Sequence, residues 1–159
     1  MLHRRLNREL DILMDKYNLN LYIDYHNSGA TITIFLRDID KFCVIKYNKD
    51  YPFRPCSVFL IINNKEINYI DYFKNKHKKI LNYCRESSLP YACPCCFNLY
   101  CKWDVSNTSS NMLDEVIVKY KTYNKLELRL YVFMTLIKLF NEKYLKKIDN
   151  IILHIIKYI

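Results

Sequence analysis

The sequence predicts a single α+β domain, and the changing spacing of its apolar residues is what predicts it. Within the 159 residues, apolar side chains recur at helical spacing near the N-terminus, alternate with a period of two up to residue 62, and return to helical spacing from residue 69. Strands bracketed by helices in this way are typical of α+β folds. Since 51% of the residues are hydrophobic, the chain can bury a core of its own.

An amphipathic helix is predicted for residues 2–17. Its leucines recur every three or four positions with arginine and glutamate between them, so one face would pack on the core. Residues 21–26 then alternate apolar and polar side chains, and the alternation resumes at 31–34 after Asn27-Ser28-Gly29, which predicts a hairpin. Two more strands, at 42–47 and 57–62, complete a predicted four-stranded antiparallel meander.

Helical spacing returns at residues 66–86, which predict a helical insertion with several lysines on its outer side. After a cysteine-rich stretch, a helix is predicted from Asn111, with Asn111 as its N-cap and Asp114 as the acid three residues on. Further C-terminal helices are predicted around 125–147 and 149–158. The sequence therefore predicts one domain over residues 1–159, with the strands before the main helices.

Composition and charge exclude several classes of function. A single glycine rules out the glycine-rich loops that cradle phosphates. The net charge of +9 favours acidic partners, but no nucleic-acid-binding motif accompanies it, so nucleic acid is not the expected partner. A basic structural protein that binds nucleic acid is a third, weaker alternative. Neither a secretory signal nor a membrane span is predicted. We therefore expect the cytoplasm or the nucleus, where the seven cysteines would be thiols, metal ligands or a nucleophile.

Four blocks of sequence bear on function. The first is Arg5-Leu6-Asn7-Arg8-Glu9-Leu10, and the second is the turn Asp50-Tyr51-Pro52-Phe53-Arg54-Pro55, which two prolines stiffen. The third is Cys96-Phe97-Asn98-Leu99-Tyr100, and the fourth is Trp103 with Thr108, Met112 and Leu113 five, nine and ten residues on. In this order the blocks resemble the ubiquitin-conjugating enzymes. That resemblance implies the ubiquitin-conjugating fold, with an N-terminal helix, a four-stranded meander, a Tyr-Pro-Phe turn and an active-site cysteine.

The resemblance implies that the chain carries ubiquitin, or a ubiquitin-like modifier, as a cysteine thioester. The expected partners are an activating enzyme that supplies the modifier, a ubiquitin ligase, and the lysines of a protein substrate. Cysteine suits this role because its thiolate is a good nucleophile at neutral pH, and the thioester it forms stays reactive toward amines.

Matching to the family residue by residue gives the candidate catalytic residues. Cys96 falls on the nucleophile when residues 96–100 are matched to the family's Cys-Leu-Asp-Ile-Leu, whereas Cys95 keeps the family's eight-residue spacing to the tryptophan. The family's His-Pro-Asn is replaced here by Leu89-Pro90-Tyr91. Tyr91 or Asn98 would therefore have to supply the hydrogen-bond donor that the missing asparagine provides at the site.

Three residues are expected to contact the activating enzyme or the ligase. Arg5 is expected to point to solvent from the N-terminal helix, and Phe53 lies between two prolines that would hold its ring outward. Val105 lies in Asp104-Val105-Ser106, where the family has Ser-Pro-Ala.

The alternative use of the cysteines is a structural zinc site. Cys93 and Cys96 form a Cys-x-x-Cys pair, a spacing with which two thiolates can bind one Zn²⁺. The candidate ligands are Cys93, Cys95, Cys96 and Cys101, with Cys84 or His77 as further choices. No other cofactor is expected. The alternative function is then a catalytically inactive adaptor, or a ubiquitin-binding module, that keeps the ubiquitin-conjugating fold.

Overall fold

The structure is a computed structural model that describes residues 2–17, 22–26, 29–83 and 98–139. In chain order the elements are α1 (Leu2–Tyr17), β1 (Tyr22–His26), β2 (Gly29–Leu36), a short 3-10 turn (Arg37–Ile39), β3 (Lys41–Asn48), β4 (Ser57–Ile62), β5 (Lys65–Asn68), α2 (Tyr69–Tyr83) and α3 (Ser109–Leu139). The α+β class predicted from the sequence is confirmed. The helix predicted at 149–158 lies outside the described residues.

The N-terminal helix α1 forms where the sequence predicts it. Leu6, Leu10 and Leu13 are buried, while Arg4 and Arg8 on the other side of the helix are exposed. Complete burial of a leucine side chain contributes roughly 1.5–3 kcal/mol. These three leucines therefore hold α1 on the core.

The sheet is an antiparallel meander whose strands lie side by side in chain order, from β1 to β5. On its buried face Ile32 pairs with Ile45, and Ile45 pairs with Val58 on the next strand. The meander is confirmed, but the predicted count of four strands is wrong. The fifth strand, β5, pairs Ile67 with Leu60 of β4. Its sequence, Lys-Glu-Ile-Asn, has a single apolar residue, so no alternation marks it as a strand.

The helix predicted within the 66–86 insertion is confirmed as α2, which begins at Tyr69. Asn68 caps it, since its side-chain oxygen Oδ1 accepts the backbone N–H of Ile70 at 2.9 Å. Phe73 and Ile80 are buried on its inner side. Three of its lysines are exposed on the outer side, at positions 74, 78 and 79.

One continuous helix, α3, stands where the sequence predicts two. The helix runs from Ser109 to Leu139, through the gap between the two predicted helices, and residues 140–147 of the second predicted helix lie outside the described residues. Lys76 of α2 bridges this stretch by donating hydrogen bonds of 2.6 Å to Asn124 Oδ1 and to Glu127 Oε2. Contact with α2 thus stabilises a stretch whose Thr, Tyr and Asn residues have low helix propensity of their own.

The predicted cap of α3 is wrong by three residues. The helix begins at Ser109, so Thr108 is the N-cap, and its Oγ1 accepts the N–H of Asn111 at 3.2 Å. In return, Asn111 Oδ1 accepts the N–H of Thr108 at 2.8 Å, which makes a reciprocal capping box. Asp114 has a different role from the predicted one, since it accepts a hydrogen bond from the Tyr17 hydroxyl at 3.1 Å.

One hydrophobic cluster joins the helices to the sheet. It includes residues from α1, from the inner face of the sheet, from α2 and from the first turns of α3, among them Leu13, Ile45, Phe73 and Val116. This arrangement places the start of α3 between α1 and the turn that follows β3, and the candidate site is built there.

Candidate functional site

Trp103 connects two of the sequence blocks that bear on function. Its indole Nε1–H donates a hydrogen bond of 2.7 Å to the backbone oxygen of Pro52, in the turn that follows β3. Its ring lies with its centroid 5.9 Å from that of Tyr51, and Tyr51 packs edge-on against Tyr47 of β3 at 4.9 Å. The Tyr-Pro-Phe turn and the segment leading into α3 are therefore held together.

A buried carboxylate connects α1 to the start of α3. Glu9 is 1% exposed, and its Oε2 accepts both the backbone N–H of Ser109 at 2.9 Å and the Ser109 hydroxyl at 2.8 Å. The N-terminus of a helix carries partial positive charge, so a carboxylate is favoured at this position. Arg5, one turn earlier on α1, balances the charge with its Nε 3.0 Å from Glu9 Oε1.

The charge of Glu9 affects neighbouring phenols. The pKa of Tyr51 is raised well above its ordinary value, mainly by burial and then by the negative charge of Glu9. The pKa of Tyr47 is raised chiefly by burial as well, with Glu9 contributing less. Both phenols therefore stay neutral, and neither can serve as a base near neutral pH.

Arg5 also contacts the loop at residues 104–107, which we call the 104–107 loop. Its Nη2 donates to the backbone oxygen of Asn107 at 3.1 Å and to that of Val105 at 3.4 Å. The expectation that Arg5 points to solvent is wrong, because its side chain is only 24% exposed. The physical reason is its pairing with a buried carboxylate, which draws the guanidinium inward.

The other two predicted partner-binding residues lie at the surface. Phe53 is 72% exposed and Val105 is 48% exposed. Phe53 follows Pro52, whose oxygen Trp103 binds, and Val105 lies two residues after Trp103. Two exposed apolar side chains thus project from loops that a single tryptophan links.

The turn at residues 98–102 includes the last three residues of the block that begins at the predicted nucleophile Cys96. Asn98 is buried, and its Oδ1 accepts the backbone N–H of Cys101 at 2.7 Å. The backbone N–H of Leu99, the residue after Asn98, donates to Glu115 Oε2 of α3 at 2.7 Å. These contacts make Asn98 a structural element of the turn and fix the turn against α3.

Several predicted site residues lie outside the described residues. They are both candidate nucleophiles, Cys95 and Cys96, the candidate donor Tyr91, and the candidate zinc ligands Cys84 and Cys93. Cys101 is described and exposed. His77 lies on α2, where its Nδ1 is 3.2 Å from the Tyr123 hydroxyl, and burial lowers its pKa. Among the described residues, no three histidine, cysteine or acidic side chains gather as a metal site would require.

Cys43 and Cys56 behave as small apolar residues. Both are buried, and burial raises the pKa of the Cys43 thiol to about 12. The pKa of Cys56 is raised further by the same cause, and its Sγ lies 3.4 Å from the sulfur of Met112. Neither thiol can act as the nucleophile.

Sequence reasoning missed Glu9 as a site residue. It lies beside Leu6, Leu10 and Leu13 on the helix, on the edge of the apolar face, and four residues after Arg5. An acidic residue at the edge of an apolar face with an arginine one turn before it was a usable signal. Its long-range partner Ser109 had no such signal.

A cleft of about 320 Å³ lies at the other end of α1, lined by Lys16, Tyr17, Phe35, Arg37 and Asp38. It is remote in sequence along α1 from Arg5 and Glu9.

None of the described helices is long and apolar enough to cross a membrane. Comparison with protein-family models, with curated proteins and with solved structures gave no match.

Proposed function

We propose that this chain is a thioester carrier of the ubiquitin-conjugating type. It would accept ubiquitin, or a ubiquitin-like modifier, from an activating enzyme and pass it to a lysine of a protein substrate. The observation that carries the proposal is the hydrogen bond of 2.7 Å from Trp103 to Pro52, because it joins two motifs that are far apart in sequence. The ubiquitin-conjugating fold, as distinct from the α+β class, is part of this proposal.

The contacts of α1 extend the same support. Its first motif block reaches the start of α3 through Glu9 and Ser109, so three of the four blocks that carry the resemblance, the first, second and fourth, are joined by direct contacts. Chance motif matches scattered along a chain have no reason to converge in the folded structure. In the sequence, Phe97 alone separates Cys96 from Asn98. The turn that begins at Asn98 is fixed against α3 by the bond from the Leu99 N–H to Glu115.

The chemistry requires one nucleophilic thiol, for which Cys96 is the first choice and Cys95 the second. The thiolate attacks the thioester carbonyl carbon of the charged activating enzyme, a new S–C bond forms, and the activating enzyme's S–C bond breaks to release its thiolate. A lysine amine then attacks the new thioester. An isopeptide bond forms, the amine loses a proton, and the cysteine leaves as a thiolate.

Phe53 and Val105 are the proposed contacts for the activating enzyme or the ligase. Both are exposed apolar side chains on loops that Trp103 links, and aromatic residues are enriched at protein interfaces. Arg5 contributes to this surface through the 104–107 loop whose carbonyls it binds.

The second candidate is a catalytically inactive adaptor or ubiquitin-binding module, and the state of Asn98 favours it. Asn98 is one of two residues that could replace the asparagine of the family's His-Pro-Asn, yet its side chain is buried and its Oδ1 accepts the Cys101 N–H, so the amide whose Nδ2–H₂ would be the donor is held within the turn. A site without that donor would lose about 2.7–4 kcal/mol of transition-state stabilisation. Zinc on Cys93, Cys95, Cys96 and Cys101 would commit these thiolates to the metal and oppose catalysis.

A charging assay separates the two functions. The full chain is incubated with activating enzyme, ATP and ubiquitin, and the products are separated on a non-reducing gel. A carrier gives an adduct that Cys96→Ala abolishes, while Cys101→Ala, five residues away, is the matched control and charges normally. If Cys95→Ala abolishes the adduct and Cys96→Ala does not, the nucleophile is Cys95. No adduct, together with one zinc per chain that Cys93→Ser removes, would establish the adaptor.

A further inference from the structure

The buried ion pair of α1 reaches the partner loop through a chain of short contacts. Glu9 accepts two hydrogen bonds from Ser109, its other oxygen lies 3.0 Å from Arg5 Nε, and Arg5 donates to the carbonyls of Val105 and Asn107. Each carboxylate oxygen therefore has a partner. The arginine fork reaches from α1 to a loop that lies about a hundred residues later in the sequence.

We propose that Glu9 and Arg5 are positioning residues that hold the 104–107 loop in one conformation, so that Val105 is presented to a protein partner. This rests on the proposed function for the identity of the partner, and on the contacts above for the hold itself. Neither residue touches the reacting atoms in this scheme. Their effect passes through the loop.

Stability explains the charge at position 9 in part, because Glu9 accepts the N–H and the hydroxyl of buried Ser109, but it does not explain the pairing with Arg5. A buried ion pair gains little over well-packed apolar side chains, because removing both charges from water is costly. Leucines already fill the neighbouring positions of the same face, at 6, 10 and 13. What the pair adds is geometry, since a carboxylate can hold an N–H and a guanidinium at once, and an apolar residue can hold neither.

The loop has an internal turn but needs an external anchor. Asp104 accepts the N–H of Ser106 through its side chain at 2.8 Å and the N–H of Asn107 through its backbone oxygen at 2.9 Å. Those bonds close the turn on itself, and Trp103 and Thr108 anchor only the residues on either side of it. Arg5 binds the carbonyls of the turn from α1 and so fixes where Val105 points. A loop ordered in advance loses less conformational entropy when a partner binds it.

Hydrogen–deuterium exchange of the full chain, read by mass spectrometry, tests the hold without any partner. Glu9→Gln keeps a side-chain oxygen for the Ser109 N–H but lacks the charge that holds Arg5. Asp15→Asn is the matched control, because it makes the same change of charge at an exposed position of α1. We expect the amides of residues 105–107 to exchange at least tenfold faster in Glu9→Gln, with β3 and β4 unchanged and the control like the parent chain.

Arg5→Lys is the second variant, and it tests the same contact if Glu9→Gln does not fold. Lysine retains the positive charge beside Glu9, but its single ammonium group cannot reach the carboxylate and two carbonyls together. The same loop acceleration is expected in this variant. Equal acceleration across sheet and loop would show a purely structural pair, and an unchanged loop in both variants would overturn the proposal.

A second measurement reads the partner. In ligase-assisted transfer from the charged chain, Glu9→Gln should require at least tenfold more ligase for half-maximal rate while keeping the maximal rate. A loss confined to the maximal rate would overturn the positioning role. If the parent chain does not charge at all, the proposed function fails, while the exchange experiment still decides whether Glu9 and Arg5 hold the loop.

Discussion

Replacement of Thr108 by alanine should lower the free energy of unfolding by about 1 kcal/mol, the usual cost of removing a helix N-cap. Thr108 Oγ1 accepts the N–H of Asn111 at 3.2 Å, and its hydroxyl donates to Asn111 Oδ1 at 2.7 Å. Alanine removes both contacts. The first turn of α3 then loses one acceptor for an N–H that has no partner within the helix.

Thr122→Ala is the matched control on the same helix. The Thr122 hydroxyl donates to the backbone oxygen of Val118 at 2.9 Å, and that oxygen lies inside the helix rather than at its end. The side chain is exposed, and alanine has the higher helix propensity by a few tenths of a kcal/mol. Thr122→Ala should therefore be neutral or slightly stabilising, and the two variants should differ by about 1–1.5 kcal/mol.

Urea unfolding followed by the fluorescence of Trp103, the single tryptophan of the chain, measures this difference. With a slope of about 1–3 kcal/mol per molar urea, Thr108→Ala should lower the midpoint by roughly 0.3–1 M. A midpoint for Thr108→Ala equal to that of Thr122→Ala would refute the capping box and the start of α3 at Ser109.

Phe53→Ala should change the free energy of unfolding by less than about 0.5 kcal/mol, because the Phe53 side chain is 72% exposed. Arg5→Ala should lower it by about 1–3 kcal/mol, because it removes the partner of the buried Glu9 carboxylate. Thermal unfolding compares the two variants, and equal losses would be inconsistent with the different burial of the two side chains. At pH 7.5 iodoacetamide should modify the exposed Cys101 and spare Cys43, which is buried and whose pKa burial raises to about 12. Equal rates of labelling would mean that β3 is not packed as described. Burial lowers the pKa of His77 from 6.5, so below that pH the unfolded chain binds more protons than the folded chain does. As the pH falls, the free energy of unfolding should therefore decline more steeply in the parent chain than in His77→Gln. Identical slopes would contradict this.

The elements with strong periodicity could be predicted from the sequence. The helix α1 and the strand β4 lie where the spacing of their apolar residues predicts them, because each buries one regular face. The strand β5 escaped prediction since it is short and polar. The turn before it did carry a sequence signal, the pair Asn63-Asn64. Both residues have positive φ, of 50° and 60°, a conformation that asparagine tolerates better than most residues.

What the sequence could not predict depends on contacts between distant residues. The unbroken course of α3 relies on Lys76 of α2. The inward position of Arg5 relies on the carboxylate of Glu9, which Ser109 holds, and on the 104–107 loop. Local propensity carries no information about either contact. The candidate site was therefore predictable in its motifs, such as the Trp103 block and the Tyr-Pro-Phe turn, but not in the network that joins them.

The most direct test of the central claim is the chemical nature of the bond between ubiquitin and residue 96. After incubation with activating enzyme, ATP and ubiquitin, the chain should carry an adduct that a reducing agent removes, because a thioester exchanges with thiols. Cys96→Ser should give an adduct that survives the same treatment, because an oxygen ester does not exchange in this way. Absence of any adduct on the unmodified chain, or an adduct that persists in both Cys96→Ala and Cys95→Ala, would contradict the carrier function.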